Sequence, residues 1–154
     1  MGIKSFTGRR LSATKGNDEA IKVRDYMTTK LITFSPTQSV LEVMNSLIKY
    51  KISGGPVVND KNELLGIISE GDCMKQISES RYYNMPMDNM LVEKHMAHNV
   101  DTIDGDMNVF DAASKFIESK HRRFPIVDNG KLVGQISQKD VLKAALKLNG
   151  QTWK

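Results

Sequence analysis

The sequence has a single cysteine and no long apolar run, and each absence excludes a class of protein. Among 154 residues only Cys73 is a cysteine, so no disulfide forms within the chain, which suits a reducing compartment. The residue falls in a helical pattern, which predicts a small buried side chain. No run of 18 apolar residues could span a membrane, and the first residues lack the apolar core of a signal peptide. We therefore predict a cytoplasmic protein with no membrane association.

Motifs for catalysis and for metal binding are also missing. The sequence contains no glycine-rich phosphate loop and no arrangement of serine, histidine and aspartate that indicates a nucleophile. His95 and His98 are three residues apart, but no cysteine lies near them, so we expect no metal site. The sequence indicates no catalytic residue and no catalytic cofactor, and we predict that the protein is not an enzyme.

The net charge of +4 is concentrated at the start of the chain. Residues 1–24 contain six basic and two acidic side chains, so the remainder is neutral. We interpret residues 1–19, which are polar and lack an apolar period, as a flexible basic leader. A basic segment on a neutral body also leaves nucleic acid or an anionic surface open as a partner.

The most informative feature is an internal repeat. Residues 66–72 recur 68 positions later as residues 134–140, with serine and aspartate in the same places. Residues 56–58 recur 69 positions later as residues 125–127. The one-residue difference falls between the matched runs, where a hairpin turn tolerates a change in length. Such a repeat indicates two copies of one supersecondary unit.

Each copy contains the pattern of a short strand, a helix, a hairpin and a second helix. A β-rich run at residues 31–34 predicts the first strand. Ser39 and Glu42 predict a capping box for the first helix, and Asn108 is the corresponding cap in the second copy. We predict an α/β (α+β) fold of two tandem β-α-β-β-α units, related by a pseudo-two-fold axis, with their sheets facing each other around a cleft. The predicted segments are a leader (1–19), a first unit (20–80), a linker (81–90), a second unit (91–148) and a tail (149–154).

The repeated serine and aspartate indicate a binding site for a nucleoside phosphate. Ser69 and Ser137 stand at helix starts, where a hydroxyl and free backbone N–H groups can bind an anion. Asp72 and Asp140 follow three residues later on nearly the same helix face. A carboxylate accepts two hydroxyl donors at once, as the diol of a ribose presents them. The alternative for each copy is a simple helix cap with an acidic first turn.

Two arginines distinguish the second copy from the first. Arg122 and Arg123 directly precede the second hairpin, where two guanidinium groups can bind phosphate oxygens. The matching positions in the first copy, Ser53 and Gly54, carry no charge. We therefore predict that phosphate affinity differs between the two copies. The next residue, Phe124, either stacks on a base or fills the core.

These motifs together resemble a tandem pair of CBS domains, the module named after cystathionine β-synthase and called a Bateman module when paired. The resemblance covers residues 20–148. In the first copy it is carried by Val23, Met27, Pro36, residues 55–58, residues 64–69 and Asp72. In the second copy it is carried by Val92, Met96, residues 123–127, residues 132–134, Ser137 and Asp140.

The resemblance implies a sensor that commonly forms a flat, disc-like homodimer. Such pairs bind adenosine-containing regulatory ligands, namely AMP, ADP, ATP, S-adenosylmethionine or some cyclic dinucleotides. The resemblance implies that Asp72 and Asp140 hold the ribose hydroxyls. Ser69 and Ser137 are then expected near ribose and phosphate, and Arg122 and Arg123 at the phosphates. The base pocket would be formed by Ile32, Thr33, Gly54, Pro56, Thr102, Ile103, Phe124 and Pro125.

We therefore predict a regulatory module that binds an adenosine-containing ligand in the cleft between the two units. It would signal to a regulated protein through its dimer geometry. Three alternatives stay open. The first is a structural or protein-interaction module with an empty cleft, and the second is a nucleic-acid-associated protein that uses its basic leader. The third, a hydrolase or transferase, has no motif in its favour.

Overall fold

The computed structural model describes residues 21–83 and 86–152, so the predicted leader lies outside the described residues. The predicted α+β class is confirmed. Short 3₁₀ helices cover Val23–Asp25, Met87–Asn89 and Val92–Lys94. The helices and strands are α1 (Val40–Tyr50), β1 (Gly54–Val58), β2 (Leu64–Ser69), α2 (Glu70–Tyr83), β3 (Ile103–Asp104), α3 (Val109–Ser119), β4 (Arg123–Asp128), β5 (Lys131–Ser137) and α4 (Gln138–Thr152). Across these described ranges, none of the helices has the length and apolar character needed to cross a membrane.

The first helix of each repeat begins at its predicted cap. The Ser39 side chain accepts the N–H of Glu42 at 3.1 Å, and the Glu42 carboxylate accepts the N–H of Ser39 at 2.9 Å. In the second repeat, the Asn108 side chain accepts the N–H of Phe110 at 2.7 Å. These bonds satisfy N–H groups that have no partner inside the helix. The stripes of buried apolar side chains in α1 and α3 follow directly from these starting points.

The first hairpin extends further than the sequence pattern predicts, because β1 includes the glycine pair that precedes Pro56. Gly54 pairs with Ser69 in the antiparallel β1–β2 ladder. A Cβ on Gly54 would lie 2.8 Å from the Ile68 carbonyl oxygen, and one on Gly55 would lie 2.9 Å from a backbone carbonyl oxygen. Glycine stands here because the neighbouring backbone leaves no room for a side chain.

The first strand of each repeat is shorter than the sequence pattern predicts. Of the run at residues 31–34, only Phe34 forms a bridge, in parallel with Val57. Its N–H donates to the Pro56 carbonyl at 2.9 Å, and its own carbonyl accepts the N–H of Val58 at 2.9 Å. In the second repeat the two-residue strand β3 joins β4 and β5 in a three-stranded sheet, in the order β3-β4-β5.

The described chain divides into two compact units that do not coincide with the two repeats. Unit A comprises Lys30–Thr102 and Val127–Val133. Unit B comprises residues 21–29, 103–126 and 134–152 among those described. Each unit therefore combines the body of one repeat with the entry segment of the other.

In unit A, the entry segment of the second repeat completes the core of the first repeat. Val92 is fully buried and Met96 is 8% exposed. Ile67 and Ala97 exchange two backbone hydrogen bonds, of 3.0 and 2.8 Å. A Cβ on Gly66 would lie 2.5 Å from the Ala97 carbonyl oxygen and 2.8 Å from the Met96 sulfur. This close approach requires glycine at position 66.

Unit B contains the equivalent arrangement with the roles of the repeats exchanged. Val23, in the entry segment of the first repeat, is fully buried. Thr28 and Gln135 exchange two backbone hydrogen bonds, of 2.8 and 2.9 Å. A Cβ on Gly134 would lie 2.6 Å from the Met27 sulfur. In both units, therefore, a methionine of the entry segment packs on a glycine in the second strand of the hairpin.

The methionine–glycine contact predicts opposite effects for two glycine-to-alanine substitutions. We expect Gly66→Ala to lower the free energy of unfolding by about 1–3 kcal/mol, because the added methyl overlaps Ala97 and Met96. Gly71→Ala, on α2, is the matched control: its Cβ would meet only the Ser69 hydroxyl, at 3.6 Å. It should raise the free energy of unfolding by up to about 1 kcal/mol, because alanine favours the helix. Urea denaturation followed by circular dichroism measures both, and equal effects would contradict the contact.

Candidate functional site

The junction of β2 and α2 in unit A holds the first predicted serine and aspartate in reciprocal contact. The backbone N–H of Ser69 donates to Asp72 Oδ2 at 2.9 Å, and the Ser69 hydroxyl donates to the same oxygen at 3.0 Å. The N–H of Asp72 donates back to Ser69 Oγ at 3.4 Å. This is a capping box with aspartate in the place of glutamate. It holds the half-buried carboxylate at the start of the helix.

The junction of β5 and α4 in unit B repeats this geometry. The N–H and the hydroxyl of Ser137 donate to Asp140 Oδ2 at 2.9 and 3.0 Å. The N–H of Asp140 donates to Ser137 Oγ at 3.2 Å. Asp140 is half-buried, like its counterpart. The sequence repeat is therefore reproduced bond for bond at the two junctions.

The cap uses only one oxygen of each carboxylate. In the described part of the chain, Oδ2 of Asp72 and of Asp140 accepts the cap bonds, and Oδ1 accepts none. The second oxygen can therefore accept hydroxyl donors from a ligand. Each serine hydroxyl donates its hydrogen bond to the aspartate of its own cap, so Ser69 and Ser137 orient the carboxylates. A helix cap and a hydroxyl acceptor are compatible in one motif.

The first-repeat residues predicted around the base lie along the strands that lead to Ser69. Gly54 is directly opposite Ser69 in the β1–β2 ladder, and Pro56 follows on the same strand and is buried. Ile32 is half-buried and approaches β1 through its carbonyl oxygen. The side chain of Thr33 is exposed. The structure thus brings Ile32, Gly54 and Pro56 to the strand pair that carries the capping box.

The two predicted arginines lie beside the start of α4. The carbonyl of Arg122 accepts the N–H of Gln138, the first residue of that helix, at 3.3 Å. The Arg122 side chain is exposed and that of Arg123 is half-buried. In unit A the equivalent bond joins the N–H of Glu70 to the carbonyl of Ser53 at 2.9 Å. The backbone of Arg122 is therefore anchored at the start of α4, where the first repeat has a serine.

Most of the predicted base-pocket residues of the second repeat are buried. Phe124 is 0% exposed and Ile103 is 1% exposed, and Pro125 is buried as well. The ring of Phe124 packs on Phe116, with 4.8 Å between ring centroids. Of the two roles predicted for Phe124, the structure places it in the core, where its ring has no free face. Thr102 is half-buried and belongs to unit A.

Two basic residues that the motif analysis did not assign contact the ring of Phe124. The Lys115 Nζ lies 5.4 Å from the ring centroid, and the His121 ring meets it edge-on at 5.1 Å. In the first repeat the equivalent positions are Ser46 and Ile52. These two basic residues therefore have no basic counterpart at the matching positions of the first repeat, a difference that is visible in the sequence of the two copies.

A surface depression of about 440 Å³ lies within unit A and contains none of the predicted site residues. Its lining residues are Pro36, Leu65, Glu93, Lys94, Met96 and His98. Among the described residues, no three histidine, cysteine, aspartate or glutamate side chains are grouped so that they could hold a metal ion. Within unit A, the depression and the capping box of Ser69 are therefore separate features.

Cys73 directly follows Asp72 and is buried, at 3% exposure, as the helical pattern predicts. Burial raises the pKa of its thiol from the ordinary value of 9.0, and the neighbouring charges of Asp72 and Glu70 raise it further. The thiolate is the nucleophilic form. A high pKa together with burial makes Cys73 a structural residue.

We expect the native thiol of Cys73 to react with iodoacetamide at least about a hundredfold more slowly than in urea.

The raised pKa of the Cys73 thiol also sets the sign of a pH effect on stability. The contribution of the protonated thiol to the stability of the fold is complete below the pKa that Cys73 has in the unfolded chain. It is lost as the pH rises through the higher pKa of the folded state. Between about pH 8 and pH 11, the Tm of the wild type should therefore fall more steeply than that of Cys73→Ala. Parallel curves for the two proteins would contradict the raised pKa.

Comparison with known proteins gives matches over most of the chain. The family model of the CBS domain matches twice, at residues 23–79 and at residues 92–147. The protein MK0525 of Methanopyrus kandleri is 32% identical over 126 residues, which are 80% of this chain and 62% of that relative. The chain thus spans less than two thirds of that relative.

Two solved structures of adenosine complexes are also similar. The crystal structure of CBSX2 in complex with AMP has a TM-score of 0.72 at 29% identity, covering 84% of this chain and 98% of that chain. CBSX2 is a protein of Arabidopsis thaliana. The CBS domain pair of protein MJ0100, in complex with 5′-methylthioadenosine and S-adenosyl-L-methionine, has a TM-score of 0.65 at 26% identity. That match covers 85% of this chain and 98% of the other.

Proposed function

This chain belongs to the CBS domain family, as a tandem pair, and from that premise we propose that it is a regulatory module that senses an adenosine-containing ligand. The ligand class comprises AMP, ADP, ATP and S-adenosylmethionine. The observation that carries the proposal is the twice-repeated capping box, which leaves one oxygen of Asp72 and of Asp140 without a partner in the described chain. The complexes of CBSX2 with AMP and of MJ0100 with S-adenosyl-L-methionine support the ligand class. The proposal includes a cytoplasmic location, which agrees with the single cysteine.

The geometry of the cap supports the proposed ribose contact. The serine fixes the carboxylate through Oδ2, so Oδ1 of Asp72 or Asp140 is held in one orientation before the ligand arrives. A ribose diol donates its hydroxyls to this oxygen in charge-assisted hydrogen bonds, each worth about 1.5–3 kcal/mol. Because the carboxylate is already ordered, little conformational entropy is lost on binding.

The phosphate contact is expected to be stronger in the second repeat. Arg122 is exposed and its backbone is bonded to the first residue of α4, so its guanidinium can reach an anion near Asp140. The helix N-terminus adds a favourable partial positive charge. Gly54, the counterpart of Arg123, has no space for a side chain, because its Cβ would lie 3.0 Å from the Ser69 Cα. The first repeat is therefore suited to a ligand with less negative charge.

The ribose contact predicts that Asp140→Asn weakens AMP binding by about ten- to a hundredfold, because one charged acceptor is lost. Asparagine keeps an oxygen for the cap, so the fold should persist. Wild-type protein should show a higher Tm in the presence of AMP, by preferential binding to the native state. Thermal shift and titration calorimetry measure both effects. Asp72→Asn is the matched variant and should have the smaller effect on AMP, because the cations lie in the second repeat.

The outcome also separates the sensor from the alternatives. An absence of any Tm rise with AMP, ADP, ATP and S-adenosylmethionine would favour the structural or protein-interaction module. Equal losses in Asp72→Asn and Asp140→Asn would contradict the asymmetry between the repeats. A loss of stability in Asp140→Asn without ligand would show that the cap, rather than the contact to ribose, had been changed.

The phosphate contact predicts that Arg122→Ala weakens the binding of AMP and ATP at least about tenfold and leaves adenosine binding unchanged. Ser53→Ala, at the equivalent position of the first repeat, is the matched control and should leave all three affinities unchanged. Titration calorimetry with adenosine, AMP and ATP measures the difference. An equal loss for adenosine would place Arg122 at the base or the ribose and would overturn its assignment to phosphate.

We further propose that the module is a homodimer formed through its helices and that it transmits ligand binding to a regulated protein through dimer geometry. The exposed large apolar side chains of the described residues lie on these helices. Exposed apolar surface of this extent is typical of an interaction site. They are Leu41, Ile48 and Tyr50 on α1, Met74 and Ile77 on α2, Phe110 and Ile117 on α3, and Leu142 and Leu146 on α4.

We propose a second copy of this chain as the partner because the exposed apolar positions recur in both repeats. Ile48 and Ile117 occupy equivalent positions, and they are 78% and 79% exposed. A two-fold axis pairs such surfaces without any further protein. A ligand changes the geometry of the dimer only if it binds the two arrangements with different affinities.

A further inference from the structure

The depression of about 440 Å³ in unit A combines apolar side chains with exposed charged and polar ones. Ligand pockets in proteins commonly have volumes of about 300–1,000 Å³ and place a few polar groups around an apolar surface. The apolar lining residues are Pro36, Leu65 and Met96. The polar lining residues, all exposed, are Glu93, Lys94 and His98. The depression therefore has the size and the mixed lining of a site for a small molecule.

The polar side chains of the depression have no partner in the described part of the chain. Neither Glu93 nor Lys94 belongs to an ion pair there, although their charges are opposite. The imidazole of His98 makes no hydrogen bond within the same described ranges. One acceptor of negative charge and two nitrogen donors are thus available to a ligand.

Unit B has the same backbone arrangement as the depression of unit A. In unit A the N–H of Glu93 donates to the Pro36 carbonyl at 3.0 Å. In unit B the N–H of Arg24 donates to the Gly105 carbonyl at 2.9 Å. Both pairs of matching residues are 69 positions apart in the sequence, like the other matched entry residues. Arg24 therefore corresponds to Glu93, and Gly105 corresponds to Pro36.

The equivalent place in unit B is covered by the Arg24 side chain. Its Nε donates to Asp106 Oδ1 at 3.1 Å, and a Cβ on Gly105 would lie 3.1 Å from its Nη2. The residues of unit A that correspond to Arg24, Gly105 and Asp106 are Glu93, Pro36 and Thr37. This ion pair therefore cannot form in unit A. Unit B closes with its own cation the place that unit A leaves open.

We propose that the depression in unit A is a binding site for a free α-amino acid with an apolar side chain. The ammonium group of the ligand binds the Glu93 carboxylate, and its carboxylate binds Lys94 and His98. The side chain of the ligand packs on Leu65 and Met96. An α-amino acid carries both charges on adjacent groups, so it satisfies both charged residues at once. This inference goes beyond the proposed nucleotide sensor and does not rest on it.

Charge favours an amino acid over other small ligands. A ligand with a single charge leaves either Glu93 or Lys94 without a partner. A nucleotide carries negative phosphates but no cation, so the Glu93 carboxylate disfavours it. The guanidinium of Arg24 in unit B supports the placement of the ammonium group, because it shows that this part of the scaffold accommodates a cationic group.

A series of leucine analogues tests the site in the full-length wild-type protein. Leucine should raise the Tm and should bind in titration calorimetry. Isopentylamine, which lacks the carboxylate of leucine, and isocaproate, which lacks its ammonium group, should each bind at least about tenfold more weakly. The proposal fails if either analogue binds as well as leucine, or if leucine, methionine, valine and phenylalanine all leave the Tm unchanged.

Two substitutions assign the charged contacts. Glu93→Gln and Lys94→Gln should each weaken leucine binding at least about tenfold. Glu93→Gln should leave the weak binding of isocaproate unchanged, and Lys94→Gln should leave that of isopentylamine unchanged. Asp25→Asn, at the unit B position that corresponds to Lys94, is the matched control and should bind leucine as the wild type does. Equal losses for all three ligands in both variants would contradict the assigned contacts.

The internal repeat also provides a variant that closes the depression. Pro36→Gly, Thr37→Asp and Glu93→Arg together transfer the ion pair of unit B into unit A. The triple variant should keep the circular dichroism spectrum of the wild type and should no longer bind leucine. Full leucine binding by the folded variant would place the ligand elsewhere and overturn the proposal. If the variant does not fold, the single substitutions and the leucine analogues decide the question.

A protein partner is the competing occupant, because an arginine side chain covers the equivalent place in unit B. N-acetyl-arginine amide represents such a side chain in a peptide. Binding of this compound, together with no binding of any free amino acid, would assign the depression to a partner's arginine and overturn the proposed amino-acid site. Preference for leucine over N-acetyl-arginine amide supports the proposal.

Discussion

The reciprocal hydrogen bonds between a serine and the aspartate three residues later are the interaction on which the proposed site depends. In both repeats they start the helix that follows the hairpin, and in both they hold a carboxylate through a single oxygen. A cap of this kind is worth about 1 kcal/mol to its helix. Its second effect is preorganisation, because the free oxygen of Asp72 or Asp140 is ordered by the fold itself. The same bonds therefore stabilise the helix and prepare a hydroxyl acceptor.

A second constraint is the exchange of entry segments between the repeats. Met96 packs on Gly66 in unit A, and Met27 packs on Gly134 in unit B. Each compact unit therefore has a core that one repeat cannot complete alone. Because the contact is so close, the strand can carry no side chain at these positions, and the flexible thioether fills the space that remains. The two repeats are expected to fold as one cooperative structure for this reason.

The differences between the copies are as informative as their likeness. The capping boxes and the methionine–glycine contacts recur with nearly the same geometry, because core packing tolerates little change. The exposed positions have diverged instead. Arg122 stands where the first repeat has Ser53, and α4 has lysine at three exposed positions where α2 has Gly71, Lys75 and Glu79. One scaffold thus presents two capping boxes whose surroundings differ in charge, which agrees with the proposed sensor.

The sequence by itself determined the features that depend on neighbouring residues: the repeat, the box of Ser39 and Glu42, and the caps at Ser69 and Ser137. These follow from the preferences of a few adjacent side chains, so a sequence pattern reports them. Tertiary structure decided the rest. It placed the glycines before Pro56 inside a strand, put Phe124 in the core, and gave each unit the entry segment of the other repeat. Those outcomes depend on contacts between residues far apart in the chain, and no local pattern contains that information.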